Sequence, residues 1–596
     1  MTKTKQKSGF LKSLFGAQDM TVGSPLRSML LFSVPLLVGN IAQLLYNTVD
    51  SIVVGQFGGA NQLAAIGLSM PVQMMFAVFF MTVGTGVSVM VSQYFGAKDR
   101  ENLEKTVGNS LILILGATLF SSILGLALSR WILDITNCPP EVFDSALAYL
   151  RIMFLGFVGM GFYNILGGIL RGFGDAMFPL FVLFGTTVLN IVLDLWFVAP
   201  ADKFFGIGLD MGVAGAAWAT IIAQTLSAVV CLLRLLHMKH ILSINRSTMK
   251  LDGRICKQIV RIGVPSGLQQ MIMSMSFVFV QSIINSILIP FGTDVVTGVT
   301  LFDGAMFVAV NTAVMRIDGF AMMPAQTFNQ AAGTFTGQNI GAGKLERVSK
   351  GLRICLVMAL SVTLIVFFAI WFGGRGLMKM FINDTRGTVI SAAVSDAAAR
   401  DRAAADGFGS LEAYLEDNGV TTTEAFASTD AGKTVIGDFA KSLGFADSAA
   451  LILSEEGGAI AADFVRSKGF ADVDDYLTRR IDKIIEVGFE MQRIMVWGYF
   501  LMAIANTIGG VMRGAGDTMA QLFIMISTNI VIRIPLTVLM VNWSKSADYP
   551  NGRPSMLFWS MLIAFGLNVI VSSIYFSTGK WKNKGVVSRP AAESAE

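Results

Sequence analysis

The chain has 596 residues, of which 53% are hydrophobic and only 14% charged, and its mean hydropathy is +0.62. A water-soluble globule could not cover that much apolar side chain, so soluble enzymes and nucleic-acid-binding proteins are excluded and the lipid bilayer is the first partner. The formal net charge is only +4, and where the basic residues lie says more than their sum.

Apolar runs of the ~20 residues that a spanning helix needs recur at about 28–49, 61–92, 108–130, 144–170, 176–199, 211–236, 258–290, 300–335, 349–372, 486–512, 518–542 and 555–577. They predict an all-α membrane protein of twelve transmembrane helices. The three longest each carry an interior proline, Pro71, Pro265 or Pro324, which predicts kinked or tilted spans rather than extra ones. Lys and Arg concentrate in alternate loops and at both ends, including Lys98, Arg100, Lys105, Lys344, Arg347 and Lys580. The positive-inside rule makes those loops and both termini cytoplasmic, in a multi-pass protein of the cell (inner) membrane. The first 27 residues read as a cytoplasmic tail, because they lack an apolar core with a small-residue cleavage site.

Internal repetition organises the rest. "GGILRGFGDAMFPLF" at 167 returns as "GGVMRGAGDTMAQLF" at 509, an offset of 342. "SVPLL" at 33 and "GVPSG" at 263 differ by 230, and "QYFGAKDRENL" at 93 and "QNIGAGKLERV" at 338 by 245. The chain is therefore two homologous six-helix lobes, parallel repeats that build a cavity between bodies able to rock. The jump of 97 from the offset of 245 to that of 342 places an insert in the second lobe. The expected divisions are a tail at 1–27, the first lobe at 28–245, three helices of the second lobe at 246–385, an insert at 386–482, three further helices at 483–580 and a tail at 581–596. The insert is rich in Ala and Asp, and "GFGSLEAYL", "GFADSAALI" and "GFADVDDYL" repeat a glycine stop followed by a cap at Ser410, Asp447 or Asp472. It reads as a small helical extracytoplasmic domain, either a docking point for an unknown partner, a spacer, or an engineered addition.

Charge inside the spans marks the candidate site. Asn190 and Asp194 lie one turn apart in "TVLNIVLDLWF", and Gln43, Tyr46 and Asp50 share one stripe of "AQLLYNTVDSIVVG". A carboxylate facing lipid would cost at least ~2.5–3.5 kcal/mol, so these groups should face protein or water. Two buried acids with an amide oxygen suit a proton or Na⁺; the bland alternatives are a polar clamp between helices at Asn190 and Asp194 and a helix end touching water at Asp50. The repeat places Ile532 and Leu536 opposite Asn190 and Asp194, and Val280 opposite Asp50, so the second lobe lacks the acids. In the second lobe, Arg316 and Asp318 stand two apart and do not face each other; either a structural ion pair or a gating or substrate role is open to them. Arg316 and Arg533 are the chief basic residues within spans, while Arg171 and Arg513 of the "RGxGD" turns read as cytoplasmic hinge residues able to meet phosphate headgroups, with Asp175 and Asp517 capping the helices that follow. Methionines cluster in matching helices, Met70, Met74, Met75 and Met81 among them, and suit either ordinary packing or a cavity for varied apolar cations.

Four cysteines show no disulfide or metal spacing, and His237 with His240 forms an isolated H-x-x-H. Without a nucleotide-binding loop or catalytic triad the chain reads as neither an enzyme nor an ATP-driven pump, and as needing no cofactor.

"VPLLVGNIAQLLYNTVDSIVVGQFG", the paired "RGxGD" turns, "GQNIGAG" and "LNIVLD" together resemble the multidrug and toxic compound extrusion (MATE) transporters, over about 28–384 and 483–580. The resemblance implies two lobes around a V-shaped cavity that expel small cationic, drug-like amphiphiles in exchange for H⁺ or Na⁺, in a protein acting as a monomer. It assigns cation coupling to Asp50, Asn190, Asp194 and Thr220, and substrate contacts to Gln43, Tyr46 and Asn164. The lack of acids deep inside the seventh and tenth helices favours a DinF-like arrangement, coupled through the first lobe, over the NorM-like one. The rivals are a lipid-linked precursor flippase, which would use a strongly cationic central cavity, and a membrane-embedded enzyme.

Overall fold

The structure is a computed structural model that describes residues 16–587 except 136–137, 139, 202–205, 240, 244, 246–247, 288–303, 382–385, 421–422, 428, 547–551 and 554. The described residues are α-helical, with no strand among them. His240 of the H-x-x-H pair lies outside them, and no metal-binding group of His, Cys, Asp and Glu occurs among them.

The first lobe begins with α1 (Pro25–Ala97), whose 73 residues would measure about 110 Å if straight. It is not straight. Met20, just before its start, hydrogen-bonds the Gln338 side chain, and Gly96, near its end, lies against the Gln338 backbone. Both ends thus meet one residue, and α1 must fold back as two spanning arms, Pro25–Phe57 and Ala64–Ala97. The break expected between the first two runs is a bend through which helical hydrogen bonding continues. α2 (Arg100–Ile135), α3 (Pro140–Leu155), α4 (Phe157–Gly172), α5 (Met177–Val198) and α6 (Gly212–His237) complete the lobe. The run expected as one span over 144–170 is α3 and α4, bent by 49° at Gly156.

The second lobe holds α7 (Gly253–Ile287), α8 (Gly304–Gly341) and α9 (Leu345–Phe381), then α16 (Val473–Gly514), α17 (Thr518–Ile526), α18 (Arg533–Trp543) and α19 (Ser555–Ser577). A π-turn at Ser527–Ile532 joins α17 to α18 as one span. With the bent α3–α4 pair counted once, ten segments of the described residues are long and apolar enough to cross a bilayer; α7 and α8, of 35 and 38 residues, are long enough to do so. Each lobe has its own apolar core. Phe76, Phe80, Phe154 and Phe157 interlock edge to face in the first, with centroids 5.0–5.4 Å apart; Phe328, Phe335, Met495 and Tyr499 belong to the core of the second.

The lobes meet at the face that carries both chain ends, through contacts that follow the repeat. Gln93 Nε2 donates to Gly514 O (2.8 Å) and its Oε1 accepts from Val586 N (2.6 Å). Its repeat mate Gln338 donates to Gly172 O (3.0 Å) and accepts from Met20 N (2.8 Å). Each glutamine therefore reaches a carbonyl of the opposite lobe and holds one terminal segment. Beside them the second arm of α1 crosses α8 so closely that a Cβ on Gly96 or on Gly341 would stand 1.9 Å from the partner helix's backbone oxygen.

Residues 386–482 form α10 (Arg386–Ala405), α11 (Leu411–Asp417), α12 (Thr423–Ala427), α13 (Asp430–Ser442), α14 (Ser448–Ile452), α15 (Glu455–Ser467) and the start of α16. Small cores are strung along α10: Val389 and Ala393 pack with Val465 and Tyr476, Val394 and Ala398 with Ile436 and Leu451, Ala399 and Ala403 with Tyr414 and Phe426. Gly407, Gly444 and Gly469 take positive φ, and Ser410, Asp447 and Asp472 accept from the N–H groups of Ala413, Ala450 and Asp475. Thr429 and Ser454 cap α13 and α15 in the same way, outside the repeated motif. Asp472→Ala is expected to cost about 1 kcal/mol, read as a lower melting temperature of the intact chain.

Candidate functional site

Tyr46 and Asp50 on the first arm of α1, Asn190 and Asp194 on α5 and Thr220 on α6 converge inside the first lobe. All are buried, Asp194 completely and Asp50 to 9% exposure. The helical spacing carries them there: Tyr46 and Asp50, like Asn190 and Asp194, are four residues apart, while Val188 and Val192 of α5 turn outward. Tyr46 Oη donates to Thr220 Oγ1 at 3.4 Å, a long bond. The carboxyl groups of Asp50 and Asp194 lie within hydrogen-bond reach of each other.

No protein donor reaches Asp50 Oδ1, either oxygen of Asp194, or the amide of Asn190. Val53, Val54, Ile66, Val198, Val213 and Ala217 form an apolar wall in the same region. Two carboxylates face to face, without a cationic partner and walled by hydrocarbon, repel each other unless a proton or metal cation lies between them. That is the chemistry the arrangement can perform: to take up and give back one small cation. Motif reading missed one member. Tyr149 of α3 is buried near both acids; only three-dimensional packing brings this helix to them.

The other expected substrate residues lie elsewhere. Gln43 lines a cavity of about 220 Å³ beside α4 and α5, and Asn164 lines both that cavity and a larger one of about 350 Å³ between the lobes. Asn164 spends its amide on Met160 O of its own helix (2.9 Å). Arg316 is exposed, whereas Asp318 is buried and faces α16, where Tyr499 Oη donates to it and Gln492 Nε2 approaches at 3.5 Å. The two do not pair, and neither lines a cavity described here. Tyr499→Phe is expected to cost about 1–3 kcal/mol, the usual result of removing a donor from a buried carboxyl, visible as a lower melting temperature.

The "RGxGD" turns differ from expectation. Gly174 and Gly516 do turn with positive φ, and Asp175 caps α5 at Phe178 N (3.1 Å). Asp517 caps nothing and instead accepts from Tyr575 Oη at 2.5 Å. Arg171 and Arg513 face inward, both lining the interlobe cavity. Of the clustered methionines only Met81 is among that cavity's described lining.

The MatE family model matches residues 35–196, 265–397 and 475–539. Among curated proteins, the chain is 28% identical over 369 residues to the probable multidrug resistance protein YpnP of Bacillus subtilis, covering 62% of this chain and 77% of that one. It is 24% identical to the probable multidrug resistance protein NorM of Thermotoga maritima, covering 60% and 72%. Among solved structures, a MATE transporter in complex with MaD3S superposes with a TM-score of 0.67 at 20% identity, covering 94% of this chain and 98% of that one. An outward-facing multidrug resistance MATE transporter gives 0.66 at 21%, covering 95% and 97%.

Proposed function

Since the chain belongs to the MatE family of multidrug transporters, we propose that it exports drug-like amphiphiles in exchange for H⁺ or Na⁺ held between Asp50 and Asp194. One observation carries this reading: two buried carboxyls within reach of each other, with oxygens that no protein donor satisfies. Asn190 adds an unsatisfied amide, and Tyr46 with Thr220 closes the side toward α6.

In the proposed cycle the cation-free acids attract the positive end of a substrate. After the lobes rock, a cation from outside neutralises the acids, the substrate loses its electrostatic hold, and the loaded lobe returns. The exchange requires only that each ligand bind the two states differently. Gln43 and Asn164, on the cavity walls, are the proposed substrate contacts. The chain-end face is read as cytoplasmic; α9 begins there, where Arg347 donates to Met20 O and Val22 O, and crosses once, which supports an extracytoplasmic position for 386–482.

The test is ethidium transport in proteoliposomes under an imposed pH or Na⁺ gradient. Export driven by one gradient and collapsed by dissipating it is expected. Equal flux with and without either gradient would overturn the reading.

A further inference from the structure

Several cationic side chains that are wholly or partly withdrawn from solvent have partners. Arg234 lies 3.6 Å from Asp175, Arg347 donates to backbone carbonyls, and Arg533 donates to Ser276 Oγ at 3.1 Å. Arg171 and Arg513 are different. They are repeat mates, one in the last turn of α4 and one in the last turn of α16, and both line the interlobe cavity of about 350 Å³. Neither has a hydrogen bond or ion pair among the described residues, and Arg513 Nε is buried without an acceptor. The acids of their own motifs are engaged elsewhere, Asp175 with Arg234 and Asp517 with Tyr575.

No carboxylate is found in the described lining of either cavity. Hydroxyl and amide groups surround the arginines instead, among them Thr85, Ser88, Gln270, Gln330 and Thr334, while Phe80, Met81 and Val89 give one wall an apolar surface. Two permanent positive charges on opposite lobes of one cavity repel each other. Each also pays for lost hydration with nothing in return. Guanidinium groups present a fork of donors matched to phosphate and carboxylate oxygens. An anion between them would satisfy both charges at once and tie one lobe to the other.

The geometry points to an anion site at the base of the interlobe cavity, in which Arg171 and Arg513 clamp the phosphate or carboxylate head of an amphiphile whose tail lies along Phe80, Met81 and Val89. This goes beyond the export reading: it assigns the charge of the group held between the lobes, whether or not Asp50 and Asp194 couple transport. It also separates the two signs of charge in space, since a cation is drawn to the first lobe's interior and an anion to the seam.

The test is calorimetric titration of the purified full chain in an uncharged detergent with decyl phosphate, decyltrimethylammonium and inorganic phosphate. Decyl phosphate is expected to bind at least tenfold more tightly than decyltrimethylammonium. The double variant Arg171→Gln/Arg513→Gln is expected to lose at least tenfold in decyl phosphate affinity, and Arg171→Lys/Arg513→Lys to keep most of it. Competition by inorganic phosphate would assign the site to free anions, and its failure to compete would assign it to headgroups. Unchanged decyl phosphate affinity in the double glutamine variant would overturn the assignment. Should that variant not fold, the intact chain decides alone, because a preference below tenfold for the phosphate amphiphile overturns it too. Binding is read without a gradient, so loss of export in coupling variants leaves this measurement untouched and the two readings fail separately.

Discussion

Asp194→Asn is expected to reduce gradient-driven export in proteoliposomes at least tenfold while leaving the melting temperature unchanged or higher. The two effects part because the carboxyl is costly where it stands. It is fully buried, neither oxygen has a protein donor, and the Asp50 carboxyl faces it. An ionised group placed so loses several kcal/mol of hydration, and an amide of the same shape removes that charge. A residue kept only for packing would show the reverse pattern, with stability lost and flux preserved. Asp50→Asn should behave alike, for in the proposed cycle the pair holds one cation jointly. Export at the intact rate by both variants would leave the coupling assignment without support.

The architecture was legible because bilayer physics writes it into sequence. Twelve apolar runs and the offsets of 230, 245 and 342 were enough for two six-helix lobes. The caps of the 386–482 segment were equally readable, since a positive-φ glycine followed by Ser or Asp is a local signal. Asp50, Asn190 and Asp194 could be found because a polar group in an apolar run is conspicuous, and helical spacing told which ones share a face. Tyr149 could not, because nothing local distinguishes a tyrosine packed beside two buried acids from one in the ordinary core.

Direction was harder than location. Arg171 and Arg513 stand at helix ends, where headgroups and an interlobe cavity are both within reach of a long side chain. Only the packing of α4 and α16 decides between them. The central cavity is consequently more basic than the spans alone suggested. The second lobe continues this asymmetry: Arg533 follows directly on Ile532, the repeat mate of Asn190, and is buried with Nε and Nη2 unpartnered. Duplication preserved the scaffold of the two lobes while the charges inside them diverged in sign.

Gly96→Ala with Gly341→Ala is expected to abolish export by preventing closure of the face that carries the chain ends. At each site a methyl would stand 1.9 Å from a backbone oxygen, of Gln338 and Gln93 respectively, and backbone cannot swing aside as a side chain does. Overpacking of this kind costs about 1–3 kcal/mol or more per site, and it is charged only to the state in which the second arm of α1 and α8 cross. A conformational equilibrium shifts by the full difference, about tenfold for each 1.4 kcal/mol. The glutamine clasp resists that shift with four hydrogen bonds of 2.6–3.0 Å, so Gln93→Ala/Gln338→Ala should move the balance the same way by a smaller amount. The measurement is labelling of Ser266→Cys, a cavity position, by an impermeant thiol reagent in a background whose native cysteines are replaced. Faster labelling from the chain-end side in the double alanine variant is the expected result, and labelling at the rate of the parent would show that the crossing is not the gate.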